Sequence, residues 1–438
     1  MESNEKLFQI KDKIEQMINE GYLNEAKELL NRIEKKVEID SDILSMQGTL
    51  LILEGHYENA RILLSEAIKK FPLNQDIMFN LAYVFEMENK SEEAYRIYRD
   101  LELIGTEDIQ NDVSEAIDNL NVKRIEEPPA KKKLAFFVKK GMDSFLIRII
   151  DELSENYIVK KIIINNLKDI EIGMKWCDIC WFEWCDELIG YGSKLALANE
   201  RQIICRVHSY EAFTNFPQSV NWENVNLTIF IAEHIREVFL ENTDLDYSRT
   251  AIVPNEVDLG AYTFKERKPG YNIAFVGYIN YKKGPMLLLH TFKSIWDTDK
   301  RYKLFIAGQY QDLRDKLYFD QMIVEMGMED NVFFEGWQTD LDTWLEDKHY
   351  ILCTSLLESQ NVSVMQAMSK GIKPIIHNFV GAKNIYPSKF IWNTIDQAVS
   401  LTIDKEGYHS QNYREYIKLN YSLDSHITSI KKILSESY

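Results

Sequence analysis

Cysteine is scarce in this chain. Five residues in 438, Cys177, Cys180, Cys185, Cys205 and Cys353, are too few and too apolar in setting for a disulfide framework. Reduced thiols are expected. The spacing of Cys177, Cys180 and Cys185, even with His208 added, matches no zinc pattern, so no metal site is predicted. Basic charge is also in the minority. With 51 Lys and Arg against 69 Asp and Glu, the chain carries −18 and has no broad cationic face for nucleic acid or anionic lipid. No apolar run approaches the roughly 18 residues that a membrane helix needs, and the charged start MESNEKLFQIKDK does not read as a signal peptide. A cytoplasmic protein is expected.

Apolar residues make up 45% of the chain and aromatics 12%, enough to bury the cores of two or three domains. From Met1 to about Ile125 the pattern is purely helical, and small residues recur every 34 positions: Ala26, Ala60 and Ala94, then Gly21, Gly55 and Asn89. Leu29, Leu63 and Ile97 keep the same period, as do Gly48 and Ala82. The middle copy, with Gly48, Ala60, Ala67 and Pro72, resembles tetratricopeptide repeats. That resemblance implies stacked helical hairpins with a concave groove, used for extended peptides or serving only as a spacer or dimerisation arm. Residues 1–125 hold most of the acidity, −11 of the −18. The charged stretch 121–133, with Pro128 and Pro129, reads as a linker.

Beyond it, apolar strands starting at Leu134, Val159, Asp178, Ile203 and Leu227 alternate with helical stretches, which predicts an α/β domain. In a doubly wound sheet, ligands collect at the carboxyl ends of strands. Gly141 follows the first strand and precedes a helix expected over 143–153. Glu183 ends the third strand, between Phe182 and Trp184; it suits an acceptor hydroxyl or equally a surface position. His208, Tyr210 and Glu211 follow the fourth. Trp181 and Trp184 fit core or rim packing.

A second α/β half follows. A strand over 273–277 leads through Gly277, Lys282, Lys283 and Gly284 into an apolar-faced helix. Further strands are predicted at YKLFIAG, ending at Gly308, and NVFFEGW, ending at Trp337. Residues 350–386 are the most informative stretch. Tyr350–Thr354 reads as a strand, 361–370 as a helix closed by Gly371, and 373–378 as a second strand, a βαβ unit. Glu358 lies just past the first strand, and the amides of Gln360–Ser363 open the helix. A carboxylate beside a helix start suits a ligand with both hydroxyls and phosphates.

These residues resemble the signature of retaining GT-B glycosyltransferases of family 4: Glu358 in the first Glu position, Gln366 where a second Glu recurs, then Ala367, Met368, Gly371, Pro374, Gly381 and Ala382. Lys283-Gly284 matches the family's Lys-Gly, and IVPNEVD at 252–258 its interdomain hinge. Chain order matches His208 to a His near the donor sugar. Four positions depart from the pattern: Gln366, Tyr278 in place of Arg, Glu256 in place of Gly, and Asn384 in place of Glu. The last stretch, 411–438, reads as a helix that crosses back to the first α/β domain.

The resemblance implies two Rossmann-like domains, 126–258 on the acceptor side and 259–438 on the donor side. It implies transfer of a sugar from a nucleoside diphosphate, a UDP-sugar being favoured, to an acceptor hydroxyl, with no metal and no resident cofactor. Glu358, Lys283 and His208 are the catalytic candidates. Gly277, Lys282, Ser359, Gln360, Asn361, Val362 and Gln366 are donor contacts, and Gly141, Glu183, Tyr210 and Glu211 lie on the acceptor side. The repeats suggest a protein acceptor modified on Ser or Thr, such as a flagellin. The alternatives are a polysaccharide or lipid-linked glycan as acceptor, or an inactive scaffold. The oligomeric state stays open.

Overall fold

The computed structural model describes residues 2–34, 40–120 and 131–436. The expected linker therefore lies, up to residue 130, outside the described residues, as does the boundary expected at 125. Contacts divide the chain into two compact units: 1–205 with 219–225, and 206–218 with 226–438.

Among its described residues the first unit begins with seven helices: α1 Glu2–Asn19, α2 Leu23–Glu34, α3 Ser41–Leu53, α4 Tyr57–Lys70, α5 Gln75–Met87, α6 Ser91–Ile104 and α7 Glu107–Asn119. Residues Gly21, Gly55 and Asn89, one period apart, all take positive φ (85°, 77° and 60°) at the turns between paired helices. Such a turn needs a residue that tolerates the left-handed region, which explains why glycine, or asparagine, recurs there. Ala26, Ala60 and Ala94 are fully buried where the helices meet. At Gly48 an added Cβ would lie 2.5 Å from Leu64 Cδ2, so this position must stay small for α3 and α4 to pack. Asp40 and Asn74 cap α3 and α5 by accepting from backbone amides.

The unit continues with β1 Lys133–Val138, β2 Ile158–Ile163 and β3 Ile179–Glu183, paired in parallel. Lysines in the otherwise apolar β1 and β2 have a local reason. Lys133 and Lys160 lie 2.7 and 3.0 Å from Asp100 on α6, and the Lys160 ammonium sits 4.3 Å from the centre of the Trp176 ring. The helix expected from Asp143 starts later, at Ile147, and Asp143 instead pairs with Lys161.

With β4 Gln202–Val207, β5 Leu227–Phe230 and β6 Thr250–Ile252, the first sheet has the order β2-β1-β3-β4-β5-β6. The second sheet is made of β7 Asn272–Val276, β8 Lys303–Ala307, β9 Val332–Gly336, β10 Tyr350–Cys353, β11 Lys373–His377 and β12 Ile391–Trp392, in the order β12-β11-β10-β7-β8-β9. All the described strand pairs are parallel, as βαβ crossovers require. The two short strands β6 and β12 have no counterpart in the sequence reading, because two or three residues carry no period.

In the second sheet the strand order reverses between β7 and β10. At such a switch point the following loops diverge to either side and leave a crevice at the strand ends. Beneath it, Ile273, Leu352, Ile375 and Met368 are buried in one apolar cluster. The expected C-terminal helix is two, Ser410–Tyr421 and Leu423–Ser435, broken at Ser422, which caps the second. His426 of the latter donates from Nδ1 to the Pro254 carbonyl at 2.6 Å.

Candidate active site

The loop after β7 and the loop after β10 meet at the reversal. Gly277 has φ 142°, and Gly308, after β8, presses so closely that a Cβ there would stand 2.0 Å from the Gly277 carbonyl. Asn280 accepts from the Lys283 amide and closes the turn. Gly284, at φ 64°, leaves no room for a side chain, since a Cβ would lie 2.3 Å from the Thr354 carbonyl. Two hydrogen bonds tie the loops: Thr354 Oγ1 donates to the Lys283 carbonyl at 2.9 Å, and the Leu356 amide to the Lys282 carbonyl at 2.8 Å.

The side chains converge as a result. Lys283 Nζ lies 2.6 Å from Glu358 Oε1, Lys282 Nζ 3.6 Å from Oε2, and Ser355 Oγ donates to Oε1 at 2.8 Å. Glu358 is 6% exposed. Burial alone would raise its pKa, but the two lysine charges and the hydrogen bonds from Lys283 and Ser355 outweigh that and hold it below its ordinary value. Two cations against one carboxylate leave this cluster with a surplus positive charge.

Next to this pair the chain turns into the helix Val362–Ser369. Among the described residues no group accepts a hydrogen bond from the amides of Ser359, Gln360, Asn361 or Val362. Four free donors at a helix start form a site for an anion. Asn361 donates from Nδ2 to Cys353 Sγ at 3.3 Å, while its buried Oδ1 has no partner among the described residues. Gln366 is half-buried on the same helix, which ends at Gly371 with φ 82°.

Other residues hold this turn in place. His234, at the start of the helix Glu233–Leu240 after β5, shares a 2.7 Å hydrogen bond between Nε2 and the Glu358 carbonyl. The Gln360 side chain accepts from the Asn255 amide at 2.7 Å and donates to the Asn255 carbonyl at 2.8 Å. Buried Arg206 donates to Asn255 Oδ1 at 2.7 Å. His234, Asn255 and Ser355 were absent from the sequence-based candidates. Asn255 lies inside the hinge motif, so the motif pointed to its neighbourhood; a single His in an amphipathic helix gives no comparable signal.

The structure therefore gathers Glu358, Lys283, Lys282 and the 359–362 turn, with Gly277 beside them. His208 is buried, and the backbone amides of His208 and Ser209 donate to the two oxygens of buried Glu211, which shapes that turn. Tyr210 is 41% exposed. In the other unit, Gly141 takes φ 81°, and Glu183 is buried at 1% exposure rather than surface-facing, accepting from Trp181 Nε1 at 2.9 Å. Trp181 is core; Trp184 takes φ 79° and donates to the Met142 carbonyl. Of the departures, Tyr278 packs on Trp337 with ring centres 4.9 Å apart, Glu256 lies 3.5 Å from His426 Nε2, and Asn384 is exposed. Among the described residues no three His, Cys, Asp or Glu are placed to hold a metal ion, and no helix is long and apolar enough to cross a membrane.

Residues 263–389 match the family described as Glycosyl transferases group 1. Over 132 residues the chain is 27% identical to the GDP-mannose:cellobiosyl-diphosphopolyprenol alpha-mannosyltransferase of Xanthomonas campestris, which covers 30% of this chain and 34% of that protein. It is 22% identical over 222 residues to the UDP-Gal:alpha-D-GlcNAc-diphosphoundecaprenol alpha-1,3-galactosyltransferase of Escherichia coli, covering 45% of this chain and 57% of that one. The chain thus spans between a third and just over half the length of these relatives. Anabaena HepE, solved with UDP and glucose, superposes with a TM-score of 0.57 at 13% identity over 69% of this chain and 99% of its own. The fold is GT-B: two Rossmann-like parallel sheets, preceded among the described residues by seven helices.

Proposed function

We propose that the chain is a retaining glycosyltransferase that moves a hexose from a nucleoside diphosphate to an acceptor hydroxyl. One observation carries the reading: the ion pair of Lys283 with Glu358, beside a turn with four unspent amides. A nucleotide sugar has both chemistries this site can hold. Lys283, Lys282 and the amides of Ser359–Val362 take the diphosphate, with Gly277 leaving it room. Glu358 then accepts hydrogen bonds from the sugar hydroxyls, Gln366 holds the ribose and His208 approaches the sugar. As the bond from C1 to the diphosphate breaks, negative charge grows on the leaving phosphate. Fixed donors there stabilise the transition state by several kcal/mol. The acceptor oxygen bonds C1 on the face the diphosphate leaves, and its proton passes to the departing phosphate. The site uses no metal and no resident cofactor. UDP is the favoured carrier, as the UDP complex of a GT-B neighbour supports.

The domains are 1–125 as tetratricopeptide repeats, 126–258 on the acceptor side, with Gly141, Glu183, Tyr210 and Glu211, and 259–438 on the donor side, all in the cytoplasm. Helices α1, α3, α5 and α7 line a cleft of about 480 Å³ with Asp12, Asp42, Asp76 and Asn80 in its wall, which supports an acceptor protein held there and modified on Ser or Thr. A second reading, transfer to a lipid-linked glycan, is supported by the diphosphopolyprenol substrates in the relatives' names. Incubating the full chain with a panel of nucleotide sugars and measuring released nucleoside diphosphate tests the activity and names the donor. Release at the same rate from wild type, Glu358→Ala and Lys283→Ala would overturn the assignment.

A further inference from the structure

We propose that His234 is a positioning residue for the donor diphosphate, aiming the Ser359 amide through the peptide bond it shares with Glu358. This inference rests on the nucleotide-sugar reading of the 358–362 turn.

His234 is 5% exposed, and its Nε2 lies 2.7 Å from the Glu358 carbonyl oxygen. A carbonyl can only accept, so Nε2 carries the proton and the ring is the Nε2–H tautomer. Burial pushes its pKa below 6.5, opposed by the Glu358 carbonyl and by Glu237, which keeps the ring neutral at pH 7. The other nitrogen, Nδ1, is buried with no hydrogen-bond partner among the described residues. It faces Gly381, where a Cβ would stand 2.1 Å from it. Gly381, at φ 89°, is thus the residue that lets the ring lie against the loop after β11.

The consequence follows from peptide geometry. The bond between Glu358 and Ser359 is planar and trans, so its C=O and N–H point in opposite directions. Fixing the carbonyl on His234 fixes the N–H of Ser359 on the far side of the plane. That N–H is one of the four amides with no acceptor among the described residues. Without His234 the peptide is free to rotate, and the turn loses one pre-aimed donor and part of the restraint on Glu358. Preorganised donors act strongly because they need no reordering when the ligand's charge arrives. The imidazole itself stays away from proton transfer, because Nε2–H is committed to a carbonyl.

The test compares His234→Gln, whose amide nitrogen reproduces the reach of Nε2, with His234→Leu, which fills the space without a donor. UDP affinity is measured by calorimetry on the full chain, with kcat, KM for the donor and the pH profile of turnover. The expected result is UDP affinity within about threefold of wild type for His234→Gln and about tenfold weaker for His234→Leu, with kcat falling more than KM rises and no change in the pH profile of His234→Gln. Wild-type affinity and kcat in folded His234→Leu would overturn the proposal. Should His234→Leu fail to fold, a tenfold or greater loss in folded His234→Gln would overturn it. Failure of the wild-type chain to bind any nucleoside diphosphate would instead overturn the parent reading of the site, and this inference with it.

Discussion

The side-chain amide of Gln360 and the backbone amide of Asn255 form a two-pronged hydrogen bond across 105 residues of chain, at 2.7 and 2.8 Å. Gln360 was expected to serve the donor through its backbone. Its side chain has a separate task, clamping the segment after β6 to the turn beside Glu358.

Gln360→Leu leaves a buried N–H and a buried C=O unpaired on Asn255. Each such orphan costs about 1–3 kcal/mol, so a loss of roughly 2–4 kcal/mol in unfolding free energy is expected. Urea titration with an unchanged slope measures it. A loss below about 0.5 kcal/mol would show that the clamp is not structural.

Glu358→Gln keeps the shape of the carboxylate but removes its charge, leaving Lys283 and Lys282 with no anion between them. Transfer is expected to fall at least 100-fold while the far-UV spectrum stays unchanged. Glu358→Ala and Lys283→Ala are expected to fall as far or further. Donor binding and turnover measured separately assign each loss to KM or to kcat.

Acid should act on this site late. The pKa of Glu358 is held below 4.5 by its lysines, against burial, so its ion pairs are intact above the usual carboxyl value and their contribution is lost only as pH falls through the lowered one. His234 behaves differently. Its pKa is lowered from 6.5 by burial, so the stability tied to the neutral ring is complete above 6.5 and declines as the medium is acidified below it. Thermal melts from pH 8 to pH 4 should fall gently below 6.5 in wild type and less so in His234→Gln. Equal slopes in the two proteins would contradict the neutral buried ring.

Asp100 faces both Lys133 and Lys160, all three mostly out of solvent. Burial works against its ionised form, but the charges of Lys160 and then Lys133 more than compensate and lower its pKa. Asp100→Ala strands two part-buried ammonium groups and is expected to cost on the order of 2–4 kcal/mol. Asp100→Ala paired with Lys160→Met should recover part of that loss, which a double-mutant cycle reads directly.

A smaller effect tests the repeat turns. Asn89 occupies at φ 60° the place that Gly55 and Gly21 hold one and two periods earlier. Asn89→Gly removes the steric cost of a Cβ in the left-handed region and should change stability by no more than about 1 kcal/mol. Gly55→Val, with open space around it but φ at 77°, should destabilise through backbone strain alone.

Several of these features are legible in the sequence alone. The 34-residue spacing of Ala26, Ala60 and Ala94 marked helix pairs because close helix packing needs small side chains at fixed intervals. Runs of apolar residues located ten of the twelve strands among the described residues, missing β6 and β12 as too short to show a pattern. Glu358, Lys283 and the helix start after them stood out because their chemistry suits one another whatever the distance between them. The helix after β1 starts four residues later than its pattern suggests, and Asp143 is drawn to Lys161 instead.

The sequence by itself determined the local periods, and with them the succession of helices, strands and turns and the residue types at each turn. Only the tertiary structure decided which turns meet. It put β7 beside β10, so that Lys283 reaches Glu358, and it brought His234 and Asn255 to a turn more than a hundred residues away along the chain. The physical reason is that a hydrogen bond depends on position in space, whereas a local pattern holds only the few residues within one turn or strand.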